Sequence, residues 1–182
     1  MKVTRSWLEN YIEITNTTDE LCHDLTMAGL EVDDISRIEN DYVIDIDLTP
    51  NRSDCLSAKG ISRELNSIDA QYKKKPKVES NKHNPTCENT GLKFNILENN
   101  VCPRYGYMYL ENVSSGCSAP DYINKRLKDI GITLIHPIVD ILNYIMIDIG
   151  QPLHAYDADK INGEITIRQA KDKEIMLALD GN

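Results

Sequence analysis

Several things are scarce in this chain, and each scarcity removes a class of protein. Its five cysteines, Cys22, Cys55, Cys87, Cys102 and Cys117, are odd in number and contain no C-x-x-C pair. A disulfide framework is therefore not expected. His83, Cys87 and Cys102 form only a loose group without the close ligand pairs of a zinc site, so no metal is expected. Long apolar runs are absent, and the opening "MKVTRSWLENYIEI" has no signal-peptide core. The expectation is a cytoplasmic protein with no membrane partner. Basic charge is also in short supply. Lys plus Arg number 20 against 29 Asp plus Glu, a net charge of −9. Bulk electrostatic gripping of nucleic acid is thus excluded, and any RNA contact must be local. The densest basic run, Tyr72 to Lys77, reads either as a solvated linker or as a phosphate contact. Phe and Trp occur once each, against nine Tyr. Apolar space filled by tyrosine leaves hydroxyls needing partners, which predicts half-buried surfaces. The generic motifs are missing too: no P-loop, no G-x-G-x-x-G, no H-E-x-x-H and no G-x-S-x-G.

What is present suits a packed protein. The 182 residues, 41% of them hydrophobic, suffice for one domain or two small ones. Trp7, Leu8, Tyr11 and Ile12 have helical spacing. "TNTTDELCHDLTMAGL" offers Thr17 or Thr18 as N-cap, an apolar face of Leu21, Cys22, Leu25 and Ala28, and a Gly29 stop. "EVDDISRI" and "YVIDIDLT" read as strands of a hairpin across Glu39-Asn40-Asp41. In "TPNRSDCLSAKGISRELNSIDA", Ser53 or Asp54 can cap a helix with Ala58, Ile61, Leu65 and Ile68 inward. Gly60 interrupts it at a cost of about 1 kcal/mol relative to Ala, which suggests close packing there. Residues 71–90 are polar and form the best boundary, dividing a module at 1–70 from a second part at 91–182.

The second part alternates in "GLKFNILE" and "CPRYGYMYLENV", both strand-like. "SAPDYINKRLKDIG" is helical, with Ser118 as N-cap and Gly131 as stop. "HPIVDILNYIMIDIG" is a helix apolar almost all round, which predicts burial. "GEITIRQA" and "EIMLALDG" are short strand candidates, and ending on the latter suggests a fragment. Without a βαβ rhythm, the class is α+β.

Two places could carry chemistry. Asp140 and Asn143 are three apart on the apolar helix and share a face, and His154 follows its Gly150 stop. An amide and an imidazole there could polarise an ester carbonyl and orient a water. Equally, they could satisfy a backbone and the helix end. Asn51, Arg52 and Asp54 lie in a turn before a helix, either an anion site or a locally satisfied turn.

Taken together, "DIDLTPNRSDCLSAKGISREL" and "HPIVDILNYIMIDIGQPLHAYDADKINGEITIRQAKDKE" closely resemble signatures of the bacterial phenylalanyl-tRNA synthetase beta subunit. "WLENYIEI" through "AGLEVDDI" resembles its opening. The resemblance covers the chain except for a thin stretch from Gln71 to Cys102. It implies a small N-terminal α+β module followed by the first part of a mixed α/β editing domain of the B3/B4 kind. It implies an enzyme of two alpha and two beta subunits that joins phenylalanine to tRNA-Phe with ATP and Mg2+. Aminoacylation belongs to the alpha subunit, so this chain holds no cofactor and no aminoacylation catalyst. The beta subunit contributes assembly, tRNA binding and hydrolysis of tRNA mischarged with tyrosine, a discrimination that an apolar pocket alone makes poorly.

By the same resemblance Asn143 and His154 line the editing pocket, with Asp140, Leu142 and Gln151 in support and Asn51, Arg52 and Asp54 as a structural motif. Two departures matter. Leu142 stands where the family often has Thr, and the inserted OB-type tRNA-binding domain is missing, since only "DDISRIENDYVIDIDL" joins the flanking blocks. The group that recognises the tyrosine hydroxyl lies, in the family, beyond residue 182. The leading expectation is therefore a piece of a beta subunit carrying half an editing pocket. The alternatives are a non-catalytic assembly or tRNA-binding module with editing lost, and a free-standing hydrolase, for which the chain looks too short.

Overall fold

The computed structural model describes residues 1–69, 71–75, 93–98, 100–114 and 116–176. The chain divides into two compact units, Met1–Asn81 with Ser114–Ala155, and Lys82–Val113 with Tyr156–Asn182. Helices and strands are mixed along the chain without a regular βαβ rhythm, and the class is α+β.

In the first unit β1 (Lys2–Thr4) runs into a single-turn α1 (Arg5–Leu8), capped by the Thr4 hydroxyl accepting from the Trp7 amide. Helix α2 (Thr18–Met27) starts in a capping box. The Thr17 hydroxyl accepts from the Glu20 amide, and the Glu20 carboxylate accepts from the Thr17 amide. It ends in a Schellman motif, with Leu30 N–H donating to Leu25 and Gly29 N–H donating to Thr26. Gly29 takes φ +84°, which glycine adopts at little cost. Strands β2 (Glu31–Ile38) and β3 (Asp41–Asp47) form the expected hairpin, and β1 pairs with β3 on its other side, giving the antiparallel order β1-β3-β2. Glu31 to Asp47 is thus one hairpin turning at Glu39 and Asn40, with a register shift between Val32 and Asp34.

Helix α3 (Ala58–Ile68) begins later than its sequence suggests. Ser53–Cys55 forms a separate 3-10 turn, and Ser57, not Ser53 or Asp54, is the N-cap. Gly60 sets this boundary. A Cβ there would stand 2.0 Å from the Asp54 carbonyl oxygen, so only glycine lets the turn fold back against the helix start. The core of the unit joins Val3, Trp7, Leu8 and Ile12 to Leu21, Leu25, Ile44, Ile46, Ile61 and Leu65. Ile68, expected inward, is exposed at the end of α3.

Polar composition assigns Gln71–Lys75 to a linker, yet Tyr72 is fully buried. Its hydroxyl donates to Asp24 and accepts from Asn16, while Lys73 and Lys75 bond through their backbones to Glu13 and Tyr11. The rest of that segment, with Pro76, Lys77, His83 and Cys87, lies outside the described residues.

Helices α4 (Asp121–Asp129) and α5 (Pro137–Ile149) complete this unit. Pro120, rather than Ser118, is the N-cap of α4, without a side-chain bond, and Gly131 closes it in a second Schellman motif with Ile132. Ala119, Ile123 and Leu127 form a small core of their own against Ile141 and Tyr144.

The second unit holds β4 (Lys93–Ile96) and β5 (Glu164–Ile167), paired in parallel. The tyrosine-rich stretch from Cys102 to Val113 is not a strand. Tyr105 and Tyr107 instead stack on Phe94, ring against ring, so the alternation marks an aromatic cluster and not a hydrogen-bonded edge. The proposed final strand falls largely on residues outside the described set.

Candidate functional site

Helix α5 is specified at both ends by its own sequence. His136 is the N-cap, its Nδ1 accepting from the Ile138 amide at 3.3 Å, and Pro137 follows at the first helical position. Asp140, only 4% exposed, accepts from the Ile135 amide at 3.0 Å and thereby satisfies backbone at the helix start. Gly150 ends the helix with φ +79°. The expectation of burial all round is not met. Asp140 is the one fully buried residue of α5, while Val139 and Ile149 are exposed and the others are half-buried.

The reason lies in which side has partners. Ile141, Tyr144 and Ile147 pack on the cores of the first unit. Leu142 stands on the opposite side of the helix from Asp140 and Tyr144, by simple helical spacing. Asn143 is half-buried, next to Asp140 on the helix surface. His154 is exposed in the loop after Gly150, within the same compact unit. Gln151 is exposed and its amide donates to the Pro152 carbonyl at 3.3 Å. The structure therefore puts Asn143 and His154 on one helix and the loop that leaves it.

Sequence periodicity missed what anchors the far end of α5. Asp148 accepts from Trp7 Nε1 at 2.7 Å, and Tyr144 stacks on Trp7 with ring centroids 5.0 Å apart. Arg126 of α4 lies 5.3 Å over the Trp7 ring and donates to the Tyr144 hydroxyl at 2.9 Å and to Asn10 at 3.1 Å. Burial, followed by a bond to Asp148, pushes the Tyr11 hydroxyl well above the usual tyrosine range. The nearest thing to a signal was the abundance of tyrosine, whose polar tips need partners.

The "TPNRSD" turn is a closed ion network. Arg52 bonds Asp54 at 3.0 Å and Glu64 at 2.8 Å, and Arg63 bonds Asp54 at 2.9 Å. The bond from Arg52 leads in holding the Asp54 carboxyl down at about 2. Asn51 is exposed beside it. Among the described residues, Asp54, Cys55 and Glu64 form a trio with ligand atoms within 4.8 Å of one another. Arg52 Nη2 already sits among them, 2.9 Å from Cys55 Sγ and 2.8 Å from Glu64, so the trio does not fit a magnesium ion. Burial pushes the thiols of Cys22 and Cys55 up to about 11, away from nucleophilic character.

The two motif blocks meet in space. A Cβ on Gly150 would lie 3.2 Å from Ser57 Oγ and 3.3 Å from Ser57 Cβ, so the end of α5 rests on the N-cap of α3. Two open cavities lie elsewhere in this unit. One, of about 630 Å³, is lined by Asn16, Asp19, Glu20, His23 and Asp24 among others. The other, of about 400 Å³, includes Cys22, His23 and Asp34. Neither takes in Asn143 or His154.

Comparison with known proteins gives this arrangement a context. A family model described as the B3/4 domain matches residues 101–182. The phenylalanine–tRNA ligase beta subunit of Rhodopirellula baltica is 35% identical over 181 residues, 99% of this chain and 26% of that protein. In sequence the chain is similar to the phenylalanine–tRNA ligase beta subunit. That of Aquifex aeolicus is 45% identical over 139 residues, 76% of this chain and 17% of that protein. That of Legionella pneumophila strain Lens is 41% identical over 143 residues, 78% of this chain and 18% of that protein. The chain thus spans about a quarter or less of the length of these curated relatives. The B3/4 match takes in α4, α5 and β5, and therefore draws on both compact units. No helix among the described residues is long and apolar enough to cross a membrane.

Proposed function

We propose that this chain is part of the beta subunit of a cytoplasmic phenylalanine–tRNA ligase, working with an alpha subunit in a heterotetramer of two alpha and two beta chains. The observation that carries the reading is identity of 35% across 99% of the chain with a phenylalanine–tRNA ligase beta subunit. On this reading the holoenzyme charges tRNA-Phe using ATP and Mg2+, which belong to the alpha subunit. This chain contributes assembly and one side of the pocket that hydrolyses mischarged tyrosyl-tRNA.

In that pocket Asn143 would donate to the ester carbonyl and His154 would take a proton from an attacking water. The new carbon–oxygen bond forms at the carbonyl, the ester bond to the terminal ribose breaks, and the ribose oxygen takes up a proton. Asp140 supports the helix through Ile135 rather than reacting, and the Asn51-Arg52-Asp54 turn is structural.

Holoenzyme assembled from the alpha subunit and the complete beta subunit tests this. Phenylalanylation in the presence of ATP and hydrolysis of tyrosyl-tRNA lost in His154→Ala are the expected results. Failure to charge tRNA-Phe would overturn the assignment, and unimpaired hydrolysis in His154→Ala would remove that residue from editing. A second reading, an assembly or tRNA-binding module without editing, is favoured by Leu142 and by the missing OB-type insert. It expects normal charging with no hydrolysis in the unmodified enzyme.

A further inference from the structure

We propose that the module at 1–70 is the positioning platform for the His154 loop, acting through Asp148–Trp7 and Ser57–Gly150; this rests on the editing reading above. His154 is four residues beyond Gly150, and the module contacts this end of α5 at Asp148 and Gly150, while Arg126 of α4 holds the Tyr144 hydroxyl one turn earlier. Trp7, fully buried, is held at Asp148 by its Nε1 and at Tyr144 by its ring face. Two residues after Asp148, Gly150 rests on Ser57, itself 3% exposed, with its hydroxyl already accepting from the Gly60 amide at 3.0 Å.

The Ser57 side chain therefore has little freedom to yield, and the left-handed Gly150 has no side chain that could push the loop away. One aromatic anchor and one backbone contact, placed two residues apart at a helix end, define where the chain leaves α5 and in which direction. Neither Trp7 nor Asp148 is assigned any contact with substrate, so both are positioning residues. A loop displaced by about 1 Å is enough to lower a rate a hundredfold.

The test uses the holoenzyme with the complete beta subunit and compares Asp148→Ala, Asp148→Asn and Trp7→Phe. Trp7→Phe keeps a ring against Tyr144 while removing the Nε1 donor together with part of the buried indole volume. Asp148→Asn keeps an oxygen that can accept from Nε1. The expected result is a tenfold to hundredfold fall, as an order of magnitude, in kcat for tyrosyl-tRNA hydrolysis in Asp148→Ala and Trp7→Phe. KM and phenylalanylation should stay unchanged, and Asp148→Asn should stay near the unmodified rate.

Wild-type hydrolysis in both Asp148→Ala and Trp7→Phe would overturn the proposal. So would a parallel loss of charging and hydrolysis, or a fall in Asp148→Asn as large as in Asp148→Ala. If Asp148→Ala fails to fold, Trp7→Phe alone decides. His154→Ala in the same assay separates the two ideas: if it hydrolyses normally, His154 has no part in editing and the role given to its loop fails with it, and if it alone is impaired, only the platform fails.

Discussion

Gly60→Ala should destabilise this protein, although helix propensity predicts the reverse. Alanine in place of glycine favours a helix by about 1 kcal/mol. Gly60 does not have a positive φ, so no conformational penalty opposes that gain. The opposition is steric. The new Cβ would stand 2.0 Å from the Asp54 carbonyl oxygen and 3.0 Å from Ser57 Oγ. The first is backbone and cannot rotate away, so the turn at Ser53–Cys55 must shift. Overpacking of this kind costs about 1–3 kcal/mol. Displacing Ser57, the α3 cap, adds about 0.5–2 kcal/mol. After subtracting the propensity gain, the net loss is about 0.5–4 kcal/mol, or roughly 1–16 °C in Tm for a chain of this size. Trp7, the sole tryptophan and fully buried, reports unfolding of this unit by fluorescence in urea. A Gly60→Ala protein as stable as the parent would refute the argument and place the α3 start away from Asp54.

Other perturbations probe separate parts of the fold. Thr17→Ala removes the capping box of α2 and should cost about 0.5–2 kcal/mol in a thermal melt, with the helix still formed. Leu127→Ala empties the centre of the small α4–α5 core, where Leu127 is fully buried, and should cost about 2–5 kcal/mol by urea titration. Tyr72→Phe takes the hydroxyl from Asp24 and Asn16, and a loss of about 1–3 kcal/mol is expected if this segment belongs to the folded module; an unchanged melt would return it to the linker. The Asp54 carboxyl sits at about 2 in the fold against an ordinary 3.8, so its stabilisation is present above about pH 4 and is lost as pH falls through about 2. Asp54→Asn should therefore flatten the acid-unfolding curve, followed by circular dichroism, in that window, and an unaltered curve would contradict the Arg52–Asp54 bond.

What the sequence made legible was what neighbours along the chain decide. Thr17 with Glu20, and the glycines at 29, 131 and 150, are local devices, and the helices they bound appear where spacing predicts. The hairpin of β2 and β3 is equally local. The misplaced features depend on distant partners. Ser57 displaces Ser53 and Asp54 as the α3 cap because the preceding turn folds onto Gly60. The alternation from Tyr105 to Tyr109 has strand spacing, yet the rings of Tyr105 and Tyr107 serve a stack on Phe94. Tyr72 reads as part of a lysine run until Asp24, 48 positions earlier, accepts its hydroxyl. The parallel pairing of β4 with β5 joins segments with three helical elements between them, α4, α5 and the 3-10 turn Ala158–Lys160, and no local pattern announces it.

The candidate site divides along the same line. Asn143 and His154 stand out because an amide and an imidazole are rare in an apolar neighbourhood, but nothing local says how firmly they are held. That depends on Asp148 and Trp7, 141 positions apart, and on Gly150 against Ser57. Because Leu142 faces away from the anchored side of α5, replacing the family's frequent Thr there leaves the Trp7 anchor and the Ser57 contact intact. Anchoring and chemistry are therefore separable in this chain. An enzyme that has lost editing through Leu142 should keep the same helix end, the same loop exit and the same response of stability to Trp7→Phe, while one that edits should show that response in hydrolysis as well.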